Sequence, residues 1–245
     1  LLVGNNVIAH IPDTNNLMQG LKKLLNPGGV ISLEFPHLLS LLEDKQFDTI
    51  YHEHYSYFSL FTIDKIFRAH GLKLFDAELL NTHGGSLRVM ACHAEENKRV
   101  RSKRVEDILK LEEKKGLTEL AGYRDFAGEV KAVKRSILKF LIECKEKGKS
   151  VAAYGAPAKG NTMLNYCGIG TDMIDYTVDR SPHKQGLYLP GSRIPIDEPV
   201  KIFETKPDYL VILPWNLKQE IMEQMGGIRE WGGKFVVFIP QVEVF

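Results

Sequence analysis

Between positions 51 and 59 the chain reads Tyr51-His52-Glu53-His54-Tyr55-Ser56-Tyr57-Phe58-Ser59, so two imidazoles, a carboxylate and three phenols share one short stretch. Groups of this kind move protons, and a segment with only a packing role rarely needs so many. If the stretch is extended, Tyr51, Glu53 and Tyr55 share one side. If it is a helical turn, Tyr51, His54 and Tyr55 cluster instead. Either geometry brings a carboxylate or phenol near an imidazole, the arrangement that orients and tunes a general base. Metal binding ranks below acid–base chemistry. The spacing of His52 and His54 would let two ligands converge, but no third strong ligand stands nearby in sequence.

A second concentration of chemistry lies at Gly155-Ala156-Pro157-Ala158-Lys159-Gly160-Asn161-Thr162. Apolar residues before it read as a buried strand and the residues after it as a helix. Backbone N–H groups at such a helix start suit a phosphate, and Lys159 adds a point charge. In the phosphate loop of nucleotide hydrolases a Lys-Ser/Thr pair follows the second glycine; Asn161-Thr162 stands there instead, which counts against magnesium-assisted hydrolysis. Gly155, Ala156, Lys159, Gly160 and Asn161 are therefore candidates to hold a pyrophosphate, with a plain tight turn as the alternative. Asp179 follows the next strand, where an acidic residue commonly meets a ribose hydroxyl, and Lys184 follows it closely. His10, at the end of the first apolar run, is also placed where open parallel sheets bind ligands. The turn at 83–86, His-Gly-Gly-Ser, fits either a close backbone approach or an ordinary hairpin. His37, His70 and His93 have no partner in sequence.

These groups need a scaffold, and the pattern supplies one. Residues 1–9 read as a strand, Asp13 as the cap of a helix with Leu17, Leu21, Leu24 and Leu25 on its apolar face, and 26–29 as its stop before a strand over 30–35. Strand, helix, strand in that order is the crossover unit of a parallel sheet. A helix over 62–70 and two strands, 72–79 and 86–92, close this first region. Residues 98–147 are highly charged, with apolar residues three and four apart, as in one or two amphipathic helices broken near Gly116. Lys and Glu alternate there, so no basic stripe forms. The last hundred residues begin again as strands alternating with helices, the pattern of a second doubly wound domain.

Bulk properties exclude several classes. The chain has 245 residues, 44% hydrophobic and 26% charged, with a net charge of +1. That balance gives no reason to expect nucleic acid or an anionic membrane as partner. No apolar run approaches the roughly 20 residues of a membrane span. Cys92, Cys144 and Cys167 are scattered and form no CxxC pair, which speaks against a disulfide scaffold or a zinc site and for a reducing, cytoplasmic setting.

Taken together, several motifs resemble those of the sugar C-methyltransferases of deoxysugar biosynthesis. They are Asn5-Asn6-Val7-Ile8-Ala9-His10-Ile11-Pro12-Asp13, Leu25-Asn26-Pro27-Gly28-Gly29, Phe47-Asp48-Thr49-Ile50-Tyr51-His52-Glu53-His54, His83-Gly84-Gly85-Ser86-Leu87-Arg88, the Tyr154–Asn161 turn, and Val178-Asp179 through Pro190-Gly191. The resemblance implies an α/β chain in three parts: residues 1–97, the later half of a Rossmann-like S-adenosylmethionine domain; 98–148, a helical connector; and 149–245, a second Rossmann-like, doubly wound domain. It also implies that the glycine-rich cofactor loop and a cysteine-rich zinc module belong upstream. The expectation is thus an N-terminally truncated chain, inactive alone, with zinc only in the absent module.

What the resemblance implies for mechanism is concrete. His54 is the base that removes a proton beside the ketone of a nucleotide diphosphate-linked keto-deoxysugar, Glu53 and Tyr51 orient it or stabilise the enolate, and His10 lines the pocket. An imidazole, with a reference pKa of about 6.5, is largely neutral near pH 7 as a base must be. The enolate carbon attacks the methyl of S-adenosylmethionine, and the Gly155 turn with Asp179 and Lys184 clamps the nucleotide handle. Two rival readings remain: a nucleotide-sugar-binding chain without activity, and a nicotinamide-dependent oxidoreductase, which the lack of GxGxxG disfavours. Sugar, base, stereochemistry and oligomeric state are not legible.

Overall fold

Leu2–Asn5 forms the first strand, β1, and Ile31–Pro36 the second, β2, paired in parallel from Leu2 against Ile31 to Asn5 against Glu34. These belong to a computed structural model that describes all residues from 1 to 245, grouped in two units: 1–44 with 52–126, and 45–51 with 127–245. The strand expected to run to residue 9 stops at Asn5. Asn6 takes φ 55°, a conformation Asn tolerates better than most residues, and the apolar run continues as a 3-10 turn, Ile8–His10, that buries Ile8 and Ala9.

Helix α1 (Thr14–Leu24) crosses between the two strands, with the Asp13 carboxylate accepting the Asn16 N–H at 2.9 Å. Leu17 and Leu21 face the core as expected, but Leu24 is 71% exposed. The helix ends there and the chain turns extended at Leu25, which takes the inward place, while Met18 supplies buried volume that the leucine pattern did not name. A short helix, α2 (Leu38–Glu43), was not expected; it follows β2 directly. Helix α3 (Leu60–Ala69) starts at Ser59, whose hydroxyl accepts the Thr62 N–H. Strands β3 (Leu72–Leu80) and β4 (Ser86–His93) form an antiparallel pair, giving the order β1-β2-β4-β3. Helix α4 (Lys103–Lys114) adds Val105 and Ile108 to a core built around Phe35, Ile63, Phe67 and Leu87.

Gly116, at φ 80°, breaks the helical stretch as its sequence suggests. The 21-residue helix α5 (Phe126–Glu146) then runs through the start of the second unit and buries Val130, Val133, Ile137 and Leu141 along one face. The charged stretch 98–148 is thus shared, α4 with the first unit and most of α5 with the second.

The second unit repeats the α/β theme. Strand β5 (Val151–Tyr154) leads to α6 (Ala158–Cys167), then β6 (Thr177–Val178), β7 (Ile196–Asp197), α7 (Lys201–Thr205), β8 (Tyr209–Ile212), α8 (Lys218–Gln224), β9 (Lys234–Val237) and β10 (Glu243–Val244). The order is β10-β9-β8-β5-β6-β7, parallel except for β10. After β5 the chain winds first to one side through β6 and β7, then to the other through β8. The crevice beyond the carboxyl ends of β5 and β8 is therefore a topological switch point, where open α/β sheets place ligands. Fully buried Val151, Ala152, Leu210, Val211 and Phe235 give the near-continuous apolar strands that a sheet covered on both faces requires.

Candidate functional site

In the first unit, His10 closes the 3-10 turn that follows β1. The Tyr55 N–H donates to the Ala9 carbonyl at 2.8 Å, strapping the motif segment to that turn. Its consequence is that the His10 and His54 rings meet edge to face, centroids 4.8 Å apart. The Tyr57 ring stands on His54 in the same manner at 6.1 Å. Below them Phe58 is buried against Phe35, and the Phe58 carbonyl accepts the Leu38 N–H, so the segment is anchored twice just after His54. The motif is neither a strand nor a helix throughout: 51–53 bend and turn, and 54–57 are irregular. His54 is half-buried while His52 and Glu53 are exposed. Tyr51 groups with the second unit and the three residues after it with the first.

A neighbouring histidine has a structural task that its sequence neighbours did not reveal. His37 Nε2 lies 2.7 Å from Glu112 Oε1, both side chains buried. Glu112 also accepts the Leu60 N–H at 2.6 Å and the Phe61 N–H at 2.8 Å, two of the donors left open at the start of α3. His70 bonds Asn15 and His93 bonds the Leu25 carbonyl, so these three histidines hold the scaffold. The His-Gly-Gly-Ser turn is both things its sequence allowed. It joins β3 to β4 with three successive positive φ angles, and Gly85 lies so close to Ser40 that a Cβ would collide with that side chain. A cavity of about 410 Å³ opens there, lined by His37, Ser40, Asp44, Asn81 and Gly85 among others.

The second candidate site grows from the end of β5. Gly155 takes φ 92°, and a Cβ on it would lie 2.6 Å from Pro214 Cδ. Gly160, in the first turn of α6, is as tightly set: a Cβ would lie 2.8 Å from Leu213 Cβ. Both glycines are required by the close approach of Leu213 and Pro214. Asp179 is braced from within. One carboxylate oxygen accepts the Ser181 N–H at 2.8 Å; the other accepts the Ala156 N–H at 2.8 Å and lies 3.2 Å from Lys184 Nζ. Burial pushes its carboxyl up, but those amides and Lys184 outweigh it and hold the group below the usual carboxylate range. Lys184 also donates to the Ala156 carbonyl at 2.9 Å. Asp179 and Lys184 thus fix the shape of the turn.

Lys159 does not stand out into solvent as a free point charge. Its ammonium donates to Asn216 Oδ1 and sits 4.3 Å from the centre of the Trp215 ring. Burial lowers its pKa to about 8, against the raising effect of Asp48. Asn161 starts the helical hydrogen bonding with its N–H on the Pro157 carbonyl, and no side chain caps the amides before it. A cavity of about 230 Å³ at the switch point is lined by Tyr154, Gly155, Asp179, Arg180, Lys184 and Gln224 among others. Sequence spacing missed Trp215, Asn216 and Arg180. The first two reach Lys159 only through the sheet, and Arg180 was passed over beside Asp179.

No group of three or more His, Cys, Asp and Glu side chains is placed to hold a metal ion, and no helix is long and apolar enough to cross a membrane. Comparison with known proteins gives the following. Residues 81–240 match the family described as C-methyltransferase C-terminal domain, and residues 1–77 match a methyltransferase domain. Over 244 residues the chain is 41% identical to C-methyltransferase NovU of Streptomyces niveus, a match covering 100% of this chain and 58% of that protein. The methyltransferase match implies S-adenosylmethionine. In this fold a cofactor of that size needs a glycine turn for close approach and a carboxylate for the ribose at parallel strand ends. In the first unit, the carboxyl end of β1 presents Asn5, Asn6 and His10, and that of β2 leads into buried His37. Glu34, the carboxylate on β2, is buried on Arg88 and Thr82. These residues suit one side of such a ligand and do not make its cradle.

Proposed function

We propose, for a chain that belongs to the C-methyltransferase family through its C-terminal domain, that it carries the base and the substrate clamp of a C-methyl transfer to a nucleotide-linked keto-sugar. The observation that carries this reading is the His10–His54 pair, held edge to face at 4.8 Å beside the carboxyl end of a parallel strand. One imidazole takes a proton from the carbon next to the ketone; the other, with Tyr57 close by, can donate to the enolate oxygen. Strapping by the Tyr55 amide fixes the ring that does the work before substrate arrives. Of the two histidines in the motif, His54 is the base, because it faces His10 while His52 is exposed. Glu53 and Tyr51 act on orientation. S-adenosylmethionine supplies the methyl group, and its cradle comes from outside these residues.

The substrate's diphosphate lies at the start of α6, on the uncapped amides after Pro157 and near Lys159, with Arg180 and Lys184 on the adjoining cavity. The nicotinamide alternative loses ground on Asp179. Its oxygens already accept from Ala156, Ser181 and Lys184, so a ribose hydroxyl would have to compete with these bonds.

The test is proton exchange. In a protein extended to the full length of its relative, His54→Asn is expected to slow wash-in of deuterium at the sugar carbon, and turnover with it, by about 10²–10⁴-fold. Binding of the nucleotide sugar should stay near normal, since the base acts only on the way to the transition state. Normal exchange in His54→Asn together with lost exchange in His52→Asn would exchange the two roles; no effect from either would end the reading.

A further inference from the structure

Asp48 is 1% exposed, and one of its carboxylate oxygens, Oδ1, has no hydrogen-bond partner. Its other oxygen accepts the Trp215 indole N–H at 2.7 Å, across 167 residues of sequence. The same indole carries the Lys159 ammonium on its face, 4.3 Å from the ring centre. A carboxylate at the N–H edge and an ammonium over the ring face each favour the other, because the anion enriches the π-system that attracts the cation. Burying a carboxylate is costly unless hydrogen bonds and an opposite charge offset the lost hydration. Asn would accept from the indole equally well and would need no counter-charge.

The surrounding packing leaves this cluster little freedom. Phe47 lies against Tyr166 of α6 at 5.1 Å, which docks the Phe47–Thr49 turn on that helix. Gly155 and Gly160 admit Leu213 and Pro214, and that contact delivers Trp215 and Asn216 to Lys159. From these observations we infer that Asp48 is a positioning residue whose charge, set across the Trp215 indole, keeps the partly buried Lys159 protonated and aimed at the start of α6.

Burial drives the two groups towards neutrality from opposite sides, the Asp48 carboxyl up to about 6 and the Lys159 ammonium down to about 8. The Trp215 N–H, the Lys159 charge and the amides of Asp48 and Thr49 hold Asp48 back from rising further. Asp48 is the one charged group that supports Lys159. Lys134 of α5, the cation that packs on α6, is engaged at the far end of that helix on Tyr166. Both members are therefore ionised in the interval between pH 6 and 8, and each widens the range over which the other stays charged. That Lys159 then serves a diphosphate rests on the function proposed above; the charge pairing does not.

Two measurements on the 245-residue chain separate these claims. Carbon-13 NMR of the lysine Cε atoms follows Lys159 protonation, with Lys159→Met identifying its signal. Asp48→Asn, which keeps shape and indole acceptor, is expected to lower the Lys159 midpoint by about one pH unit, the size of shift one nearby opposite charge produces. Trp215→Phe, which keeps a ring under the ammonium but no N–H, should lower it by less, and serves also if Asp48→Asn folds poorly. Calorimetry with inorganic pyrophosphate should show Asp48→Asn about fivefold weaker at pH 8 and within about twofold at pH 6, where Asp48 is itself half protonated. A Lys159 midpoint unmoved in both variants would overturn the pairing. A midpoint that falls while neither Lys159→Met nor Asp48→Asn changes pyrophosphate binding would uphold the pairing and remove the diphosphate from Lys159.

Discussion

Around His54 the backbone does the holding: an amide of Tyr55 on Ala9 and an amide of Leu38 on Phe58 fix the segment, and the side chains between are left half-buried or exposed. Around Gly155 the side chains hold one another. Asp179 and Lys184 spend their polar atoms on the turn, Lys159 and Asn216 on each other, and Trp215 on Asp48. A group that must meet a reacting atom gains when its position is set through its neighbours' main chain. A surface that only grips a charged handle gains by being rigid in advance.

The difference can be tested first where the histidine region is least tolerant. Glu112→Ala removes the partner of buried His37 and of two amides at the start of α3, the support directly behind the motif segment. Unfolding by urea should show a loss of about 3–5 kcal/mol, the range for stranding one half of a buried polar pair. Glu112→Gln, which keeps shape and acceptor, should lose clearly less. A loss under about 1 kcal/mol for Glu112→Ala would mean the buried cluster carries no strain-bearing role.

Most of the scaffold was legible, and the failures have physical causes. Local signals read well: Asp13 as a cap, Gly116 as a break, the alternation that made the second unit doubly wound. Strand β1 was overrun because an apolar run does not announce that Asn6 will turn left-handed. Glu112 was hidden among interleaved charges, although it follows Val105 and Ile108 by steps of three and four and so lies on their buried stripe. A carboxylate on the apolar face of an amphipathic helix is the signal that would have found it. Asp48 left no such trace, since Trp215 reaches it only once the second unit is folded. Asp179 and Lys184 were legible as a site and not as its internal braces, because sequence shows a charge without showing what it already bonds.

The turn of the second unit gives the next effect in size. Lys159→Ala should weaken binding of a nucleoside diphosphate by about 1–3 kcal/mol, the range for a hydrogen bond to a charged group. The loss should appear in dissociation constant rather than in turnover, since a handle held equally in ground and transition states shifts affinity alone. Unchanged affinity by calorimetry would mean that Lys159 serves only Asn216 and Trp215, and that the amides of α6 with Arg180 do the gripping.

The smallest effect belongs to Glu53, and it bears most directly on the contrast between a segment held by its backbone and a turn held by its side chains. Two carboxylates flank Tyr51 in sequence: Asp48, buried and bonded to an indole, and Glu53, exposed in the turn before His54. An exposed charge is screened by water and salt, so its pull on a nearby imidazole amounts to about 1 kcal/mol or less. Glu53→Gln, which keeps length and hydrogen-bonding shape, should therefore reduce turnover of the full-length protein by less than about tenfold. His54→Asn is expected to cost far more. The Glu53→Gln effect should shrink further at high salt, whereas loss of a group that touches the reacting atoms would not respond to salt. If Glu53→Gln instead matched His54→Asn in both proton exchange and methyl transfer, substrate binding must draw the carboxylate out of solvent onto the imidazole. Glu53 would then belong with the groups that touch the reacting atoms.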